Sequence, residues 1–227
     1  MKGIFITGTG TDIGKTFVTG LIVKKLRELG ISAGYYKAAL SGAEVKNGDL
    51  IPGDANYVCD IAGIDENPRK LVSFIYKEAV SPHLASKIEG NPVELSKVSN
   101  DFNSLRHMYE YITVEGSGGI VCPLRRDEKT IMLTDVIKLL NLDLIVVASA
   151  KLGTINNTVL TIHYARSLGL KVKGIILNEF NEKNYMHLDN KKEIELLTDI
   201  PVIACIPKNA KDMEIDKATL LNIYKEI

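Results

Sequence analysis

Neither a long hydrophobic run nor an excess of one charge is present in this chain of 227 residues. Twenty-eight basic residues balance twenty-eight acidic ones, so nothing in the net charge favours nucleic acid or an anionic membrane as a partner. No apolar run approaches the ~18 residues of a membrane helix, and the N-terminus lacks the pattern of a secretory signal. We therefore expect a soluble, cytoplasmic protein in which any anion site is local.

Cysteine is scarce, and the three residues of this type, Cys59, Cys122 and Cys205, show no C-x-x-C spacing. This favours buried, reduced thiols over a disulfide framework or a zinc site. The four histidines have no ligand spacing among themselves, and no Ser/His/Asp or Cys/His catalytic arrangement is supported by their order.

With 45% hydrophobic residues, the chain can bury one sizeable core, so we predict a single domain over residues 1–227. Short β-branched runs alternate with helical patterns, which predicts an α/β fold with a mostly parallel sheet between two layers of helices. Strands are expected near residues 3–7, 33–37, 112–115, 144–148, 172–177 and 202–206. Helices are expected over 18–29, which Gly30 caps, and near 54–62, 81–89, 95–109, 134–140, 154–168, 191–197 and 217–224. Residues 40–53 and 116–129 are predicted loops.

The strongest motif is GTGTDIGKT, residues 8–16, between an apolar stretch and an amphipathic helix. Its glycines let the backbone N–H groups face phosphate oxygens, Lys15 adds a charge, and Thr16 offers a hydroxyl to Mg²⁺. The motif predicts a P-loop fold that binds a nucleoside triphosphate. The usual first glycine position is Thr9, however, and the glycine falls at Gly8, so the loop is one residue longer than usual.

Polar residues end three of the predicted strands, where ligands of open parallel sheets bind. Glu115 precedes a glycine-rich turn, which favours a Mg²⁺ ligand over a surface carboxylate. Asp54 either caps a helix or joins Glu115 at the metal. Asn178 ends another predicted strand.

Lys37, at the end of the second predicted strand, could place a second cation near the transferred phosphoryl group or could be a solvated lysine. Ser41 and Gly42 supply either a hydroxyl with a close backbone approach or a simple turn. The stretch from Lys151 through residues 153–157 fits both a carboxylate site at a helix start and a well-capped helix.

These motifs together resemble the dethiobiotin synthetase family of the biotin pathway, over almost the whole chain. The resemblance includes the longer phosphate loop, which that family shares. It is carried by Gly8-Thr9-x-Thr11-x-x-Gly14-Lys15-Thr16, Tyr36-Lys37-x-x-x-Ser41-Gly42, Asp54, Ser81-Pro82-His83, Glu115-Gly116-x-Gly118-Gly119, Lys151-Leu152-Gly153-x-Ile155-Asn156, Asn178 and Ile206-Pro207.

The resemblance implies an ATP- and Mg²⁺-dependent carboxylase and cyclo-ligase that acts on 7,8-diaminopelargonic acid and CO₂ or bicarbonate. One amine forms a carbamate, the carbamate attacks the γ-phosphate, and the second amine displaces phosphate from the mixed anhydride to give a cyclic urea. The family works as a homodimer.

The resemblance also implies roles for individual residues. Four residues would act on the reacting groups: Lys15, Lys37, Thr11 and Ser41. Of these, Lys37, Thr11 and Ser41 would also bind substrate. Mg²⁺ would be held by Thr16, Asp54 and Glu115. Further nucleotide contacts would come from Asp12, Ile13, Gly14, Phe17, Gly116, Ser117, Gly118, and, for adenine, Asn178, Ile206 and Pro207. The substrate carboxylate would be received across the dimer interface by Gly153, Thr154 and Asn156.

The chain departs from the family pattern at Gly10, Ala38, Ser117 and Glu179, and none of these changes removes one of the charge-bearing groups proposed above. Two other families of phosphate-loop proteins are alternatives. Chromosome- and septum-positioning ATPases carry an additional lysine early in the loop, which residues 9–11 lack. Cobyrinate amidotransferase-type ligases need a glutaminase domain, for which this chain has no room.

Overall fold

A computed structural model describes residues 1–227 as one eight-stranded sheet, two small hairpins and eight α-helices. The sheet strands are β1 (Lys2–Gly8), β2 (Ala33–Leu40), β5 (Val72–Ile75), β6 (Tyr111–Glu115), β9 (Leu144–Ser149), β10 (Val172–Asn178), β11 (Val202–Ile206) and β12 (Lys225–Glu226). The hairpin strands are β3 (Glu44–Lys46) with β4 (Asp49–Ile51), and β7 (Pro123–Arg126) with β8 (Thr130–Met132). The helices are α1 (Lys15–Glu28), α2 (Gly53–Ala62), α3 (Pro82–Ile88), α4 (Leu95–Ser104), α5 (Leu133–Leu139), α6 (Thr154–Ser167), α7 (Tyr185–Thr198) and α8 (Lys217–Asn222).

The sheet is mostly parallel, with strand order β11-β10-β9-β1-β6-β2-β5 and β12 paired antiparallel to β1. Its central strands are buried along almost their whole length, which is why they read as continuous apolar runs rather than alternating ones. Helix α1 packs against α2, β2 and β6, and α6 packs against α7 and β9. The predicted α/β architecture is confirmed.

Most predicted elements are present, and the differences concern short or edge elements. The sequence pattern does not predict the edge strand β5, because four residues carry too little periodicity. The predicted helix 95–109 ends at Ser104 and continues only as a short 3₁₀ turn, Leu105–His107. The helix predicted at 191–197 begins earlier, at Tyr185, where the side chain of Asn184 accepts a hydrogen bond from the N–H of Met186.

The two predicted loops, 40–53 and 116–129, were wrong in part, since the first contains both strands of the β3–β4 hairpin and the second contains β7. In the first, Asn47 and Gly48 both have positive φ, 54° and 86°, as a tight two-residue hairpin turn requires. The second is supported by Arg125, whose Nε donates to Asp127 in the turn at 2.8 Å.

Two further expectations concern side chains and membrane helices. Cys59 and Cys122 are buried as predicted, whereas Cys205 is only half-buried, and all three are free thiols. No helix is long and apolar enough to cross a membrane.

The topology gathers the carboxyl ends of β1, β2 and β6 at one edge of the sheet. Lys37 pairs in register with Glu115, and Ile6 of β1 pairs with the same residue from the other side. The prediction that Lys37 ends its strand was wrong, because β5 pairs with residues 37–40 and extends β2 to Leu40. Lys37 therefore lies within a strand, and its side chain is held more rigidly than at a strand end.

Candidate active site

The phosphate loop connects the end of β1 at Gly8 to the start of α1 at Lys15. Gly14 has φ of 87°, and a Cβ atom there would lie 2.1 Å from Nδ2 of Asn178, so this position requires glycine on two grounds. Asp12 also adopts a left-handed conformation, with φ of 56°. Two left-handed residues therefore turn the end of the loop into α1.

Lys15 closes this loop on itself. Its Nζ donates to the carbonyl of Gly10 at 2.8 Å, and the side chain is buried. Burial lowers the pKa of Lys15, and the like charge of Lys37 lowers it further. The ammonium group of Lys15 therefore lies buried inside the loop. A bound phosphate would place an opposite charge next to it.

Asn178, the last residue of β10, holds the loop from the other side. Its Nδ2 donates to the carbonyl of Ile13 at 2.9 Å, and its Oδ1 is buried without a hydrogen-bond partner. Such an unpaired acceptor is costly and is characteristic of a site that meets a ligand. Because Nδ2 is committed to the carbonyl of Ile13, the unpaired atom of Asn178 is an acceptor.

Lys37 links two carboxylates. Its Nζ lies 2.6 Å from Oδ2 of Asp54 and 2.7 Å from Oε1 of Glu115. Burial alone would lower the pKa of Lys37, but the charges of Glu115 and Asp54 outweigh it and raise the pKa. Burial acts to raise the pKa of Asp54. The charge of Lys37 outweighs this effect, so the pKa of Asp54 lies below its ordinary value. Lys37 and Asp54 are therefore placed to interact as charged groups.

Thr16 joins the same cluster, since its Oγ1 donates to Oε1 of Glu115 at 2.8 Å. Asp54 does not cap its helix: the N-cap of α2 is Pro52, and Asp54 lies in the first turn. The hydroxyl of Thr16 and the two carboxylates form a hard-oxygen donor set that fits Mg²⁺. No third carboxylate, histidine or cysteine completes a metal cage, so remaining positions suit water and phosphate oxygens.

A cavity of about 300 Å³ contains most of the predicted site. It is lined by Thr11, Asp12, Gly14, Lys15, Thr16, Lys37, Leu40, Ser41, Asp54, Glu115, Ser117 and Gly118. Of the remaining loop residues, Ile13 and Phe17 pack their side chains against the core. Gly116 contacts Phe5 and Leu133 closely enough that a Cβ would lie 2.9 Å and 3.0 Å from their atoms. Ile13, Phe17 and Gly116 can therefore contact a nucleotide through their backbone groups.

Two positions where the chain departs from its family pattern have simple structural consequences. Ser117 donates from Oγ to the carbonyl of Ala39 at 2.5 Å, which ties the glycine-rich turn after Glu115 to β2. A Cβ on Gly10 would meet nothing within 4 Å, so the loop has open space there.

A second, larger cavity of about 860 Å³ lies beyond the ends of β10 and β11. Pro207 lines it, while Ile206 is buried as the last residue of β11. Glu179, which has a left-handed φ of 56°, forms an ion pair of 2.5 Å with Lys151 at its rim. Sequence reasoning did not assign a role to this ion pair, although Lys151 and Glu179 lie three and two positions after predicted strands.

The start of α6 lies apart from both cavities. Gly153 occupies the N-cap position with φ of 90°, and no side chain caps the first turn. Thr154 is buried, Asn156 is exposed, and the space around Gly153 is open. The N–H of Thr154 donates to the carbonyl of Lys151 at 3.2 Å, and none of Gly153, Thr154 and Asn156 lines either cavity.

Tyr35 is a site residue that sequence reasoning missed. It is fully buried, and its hydroxyl donates to Oε2 of Glu115 at 3.0 Å. Burial, with the nearby charge of Glu115, raises the pKa of Tyr35 well above its ordinary value, so the hydroxyl keeps its proton. The available signal was its position two residues before Lys37, on the same face of β2.

The sequence as a whole matches a family model described as an AAA domain over residues 2–214. An ATP-dependent dethiobiotin synthetase BioD of Clostridium botulinum (strain Okra / Type B1) is 52% identical over 226 residues, which cover 100% of this chain and 99% of the relative. The protein of the same name from strain 657 / Type Ba4 is 51% identical over 227 residues, with both chains covered completely.

Solved structures agree on the fold at much lower identity. The MinC:MinD cell division protein complex of Aquifex aeolicus has a TM-score of 0.58 at 15% identity, covering 93% of this chain and 83% of that one. A ParA family ATPase from Chlorobium tepidum TLS has a TM-score of 0.57 at 16% identity, covering 97% and 89%. At such identities the likeness shows the P-loop fold alone.

Proposed function

The chain belongs to the ATP-dependent dethiobiotin synthetase family, and from this premise we propose that it converts 7,8-diaminopelargonic acid, CO₂ and ATP into dethiobiotin, ADP and phosphate. The observation that supports the chemistry best is the cluster of the buried Lys37 and Glu115 with the half-buried Asp54, in the cavity that Lys15 of the phosphate loop also lines. Lys15 and Lys37 provide two ammonium groups, and Asp54 and Glu115 provide two carboxylates, where a triphosphate and a second anion would meet.

The reaction needs such a cluster because its partners repel each other. One amine of the substrate captures CO₂ as a carbamate, and the carbamate oxygen attacks the γ-phosphorus with departure of ADP. The second amine then attacks the carbonyl carbon and expels phosphate, which closes the cyclic urea. Lys15 and Lys37 would hold the negative groups in line, an effect that can contribute several kcal/mol where water is excluded.

Thr11 and Ser41 complete the proposed substrate contacts. Both line the same cavity as Lys37, Thr11 from the phosphate loop and Ser41 from the end of β2. Their hydroxyls can donate to the carbamate and accept from the amines. Thr16, Asp54 and Glu115 would hold Mg²⁺, which neutralises phosphate charge when bound.

We propose ATP as the preferred nucleotide on the basis of Asn178. Its Nδ2 is committed to the carbonyl of Ile13, so its unpaired Oδ1 can accept from the exocyclic amino group of adenine. The cavity beside it, which Pro207 lines, has ample volume for a nucleobase. A base with a carbonyl oxygen at that position would leave two acceptors facing each other.

The proposed substrate site is completed by a second copy of the chain. The uncapped start of α6 at Gly153 would bind the substrate carboxylate of the partner's site, together with Thr154 and Asn156. Leu152 next to it is 87% exposed, as expected of a residue that a partner covers. Neither nucleic acid nor membrane has a part in this proposal, and the free thiols fit a cytoplasmic enzyme.

The test of this proposal is whether phosphate release depends on the diamine. With Mg²⁺-ATP and bicarbonate, we expect release of phosphate only when 7,8-diaminopelargonic acid is added, and in equal amount to the cyclic product. Release that is the same with and without the diamine would contradict the proposal.

A further inference from the structure

The two carboxylate oxygens of Glu115 have different partners. Oε1 accepts from Thr16 at 2.8 Å and from Lys37 at 2.7 Å, whereas Oε2 accepts from Tyr35 at 3.0 Å. The carboxylate is almost completely buried, with 1% of the side chain exposed. One oxygen therefore faces the cavity groups, and the other faces a phenol in the interior.

The sheet register explains this arrangement. Lys37 lies directly opposite Glu115 in the β2–β6 pair, and Tyr35 lies opposite Thr113, two residues back. Residues two apart on a strand share a face, so Tyr35 and Lys37 approach Glu115 from the same side of the sheet. Tyr36 between them points to the opposite face, where its ring packs on Phe102.

The hydroxyl of Tyr35 has Glu115 as its sole hydrogen-bond partner, and the residue is completely buried. A purely structural buried tyrosine usually meets a backbone group or another core side chain, as Tyr36 does with Ser73 and the carbonyl of Val98. The only polar function of the Tyr35 hydroxyl is thus to hold one oxygen of a carboxylate in the active cavity.

We propose that Tyr35 is a positioning residue for Glu115. By holding Oε2, it fixes the rotation of the carboxylate so that Oε1 alone is directed at the Thr16 side, where the divalent cation of the proposed function binds. Without that hydrogen bond the carboxylate can rotate, so that Oε1 is directed at the cation for only part of the time. Partners of this kind, one step removed from a metal, typically change metal affinity when they are removed.

The experiment compares Tyr35→Phe with Tyr36→Phe, since each variant removes one buried hydroxyl from adjacent residues of β2 and keeps the aromatic ring. Binding of Mn²⁺ to the full-length protein with a non-hydrolysable ATP analogue is followed by electron paramagnetic resonance. We expect Tyr35→Phe to weaken Mn²⁺ binding by about tenfold. Tyr36→Phe should bind Mn²⁺ as the wild type does. Turnover of Tyr35→Phe should recover at high Mg²⁺.

Thermal unfolding without metal measures the structural cost of each variant separately. If Tyr35→Phe loses stability but binds Mn²⁺ like the wild type, the proposal is overturned and Tyr35 is structural. Because the proposal rests on the metal role of Glu115, Glu115→Gln is measured as well. Weaker Mn²⁺ binding in Glu115→Gln alone would overturn the role of Tyr35 only, whereas unchanged binding would overturn the metal role of Glu115 and the Tyr35 proposal with it.

Discussion

The ammonium group of Lys37 lies 2.7 Å from Oε1 of Glu115, the same oxygen that accepts the hydrogen bond of Thr16. In this arrangement Lys37 neutralises the oxygen that we assign to Mg²⁺. A divalent cation bound as we propose would therefore compete with Lys37 for one carboxylate oxygen. Binding of the cation would release Lys37 toward the reacting phosphoryl and carbamate groups.

Replacing Lys37 separates its role in chemistry from nucleotide binding. We expect Lys37→Ala to lower the rate of product formation by on the order of 10²- to 10³-fold, because one cation is removed from the transition state. Affinity for ATP, measured by calorimetry, should change little, since Lys15 remains in the phosphate loop. Mg²⁺ should bind more tightly in the absence of nucleotide, because the competing ammonium is gone.

Lys138→Ala, which removes an exposed lysine of α5, is the matched control and should behave like the wild type. Loss of ATP binding in Lys37→Ala, with normal turnover by the protein that still binds, would show that Lys37 belongs to the nucleotide site instead.

The fixed amide of Asn178 predicts the choice of base. We expect the efficiency of diamine-dependent phosphate release to be about tenfold higher with ATP than with GTP, since an unpaired buried acceptor costs about 1–3 kcal/mol. The measurement is kcat/KM for a panel of nucleoside triphosphates. Asn178→Ala should weaken binding of all of them, because the carbonyl of Ile13 also loses its donor. Equal efficiency with ATP and GTP in the wild type would contradict this assignment.

Asp54 predicts a pH dependence of stability. Its pKa in the folded protein lies below the ordinary value of about 4, because the charge of Lys37 outweighs the effect of burial. The ionised carboxylate of Asp54 therefore contributes its full stabilisation of the folded protein above a pH of about 4. This contribution is lost as the pH falls through the lower pKa that Asp54 has in the folded protein.

The free energy of unfolding in urea should accordingly fall more steeply for the wild type than for Asp54→Asn when the pH is lowered from about 5 toward about 2. Parallel curves for the two proteins over this range would show that the ion pair with Lys37 does not contribute to folding.

A mixing experiment tests whether the site is shared between two copies. Asn156→Asp puts a negative charge in the first turn of α6, at an exposed position that needs no special backbone conformation, and should repel the substrate carboxylate. Lys37→Ala damages the other half of the site. If the halves come from different chains, a mixture of the two inactive variants should recover up to about a quarter of wild-type activity, since random dimers contain some intact sites. No recovery after subunit exchange would mean that each chain carries its own complete site.

Much of the fold could be predicted because its longer elements repeat their pattern. The central strands, α1 and α6 have enough residues for their pattern to identify them, and the phosphate loop was identified by its motif. The strand β5 has four residues, and the β3–β4 hairpin has strands of three, so their formation depends on neighbours that the local pattern does not contain. Asn47 and Gly48 are a turn signal that the prediction of a loop over 40–53 did not use.

The candidate site was predicted to the extent that its residues belong to motifs. Glu115 and Asp54 were identified by their type and position, but the close contact of both with Lys37 depends on strand register and on the packing of α2. The period of two along a strand distinguishes Tyr35 from Tyr36, because it places Tyr35 on the same face as Lys37. The contact of its hydroxyl with Glu115 depends on strand register, which the local sequence does not contain.

The most direct test of the whole account is the product itself. Purified protein with Mg²⁺-ATP, ¹³C-bicarbonate and 7,8-diaminopelargonic acid is analysed by mass spectrometry. We expect a product heavier than the diamine by one labelled CO unit less two hydrogens, formed in equal amount to ADP and absent when ATP, bicarbonate or diamine is omitted. ATP hydrolysis that proceeds without the diamine and leaves it unmodified would contradict the account.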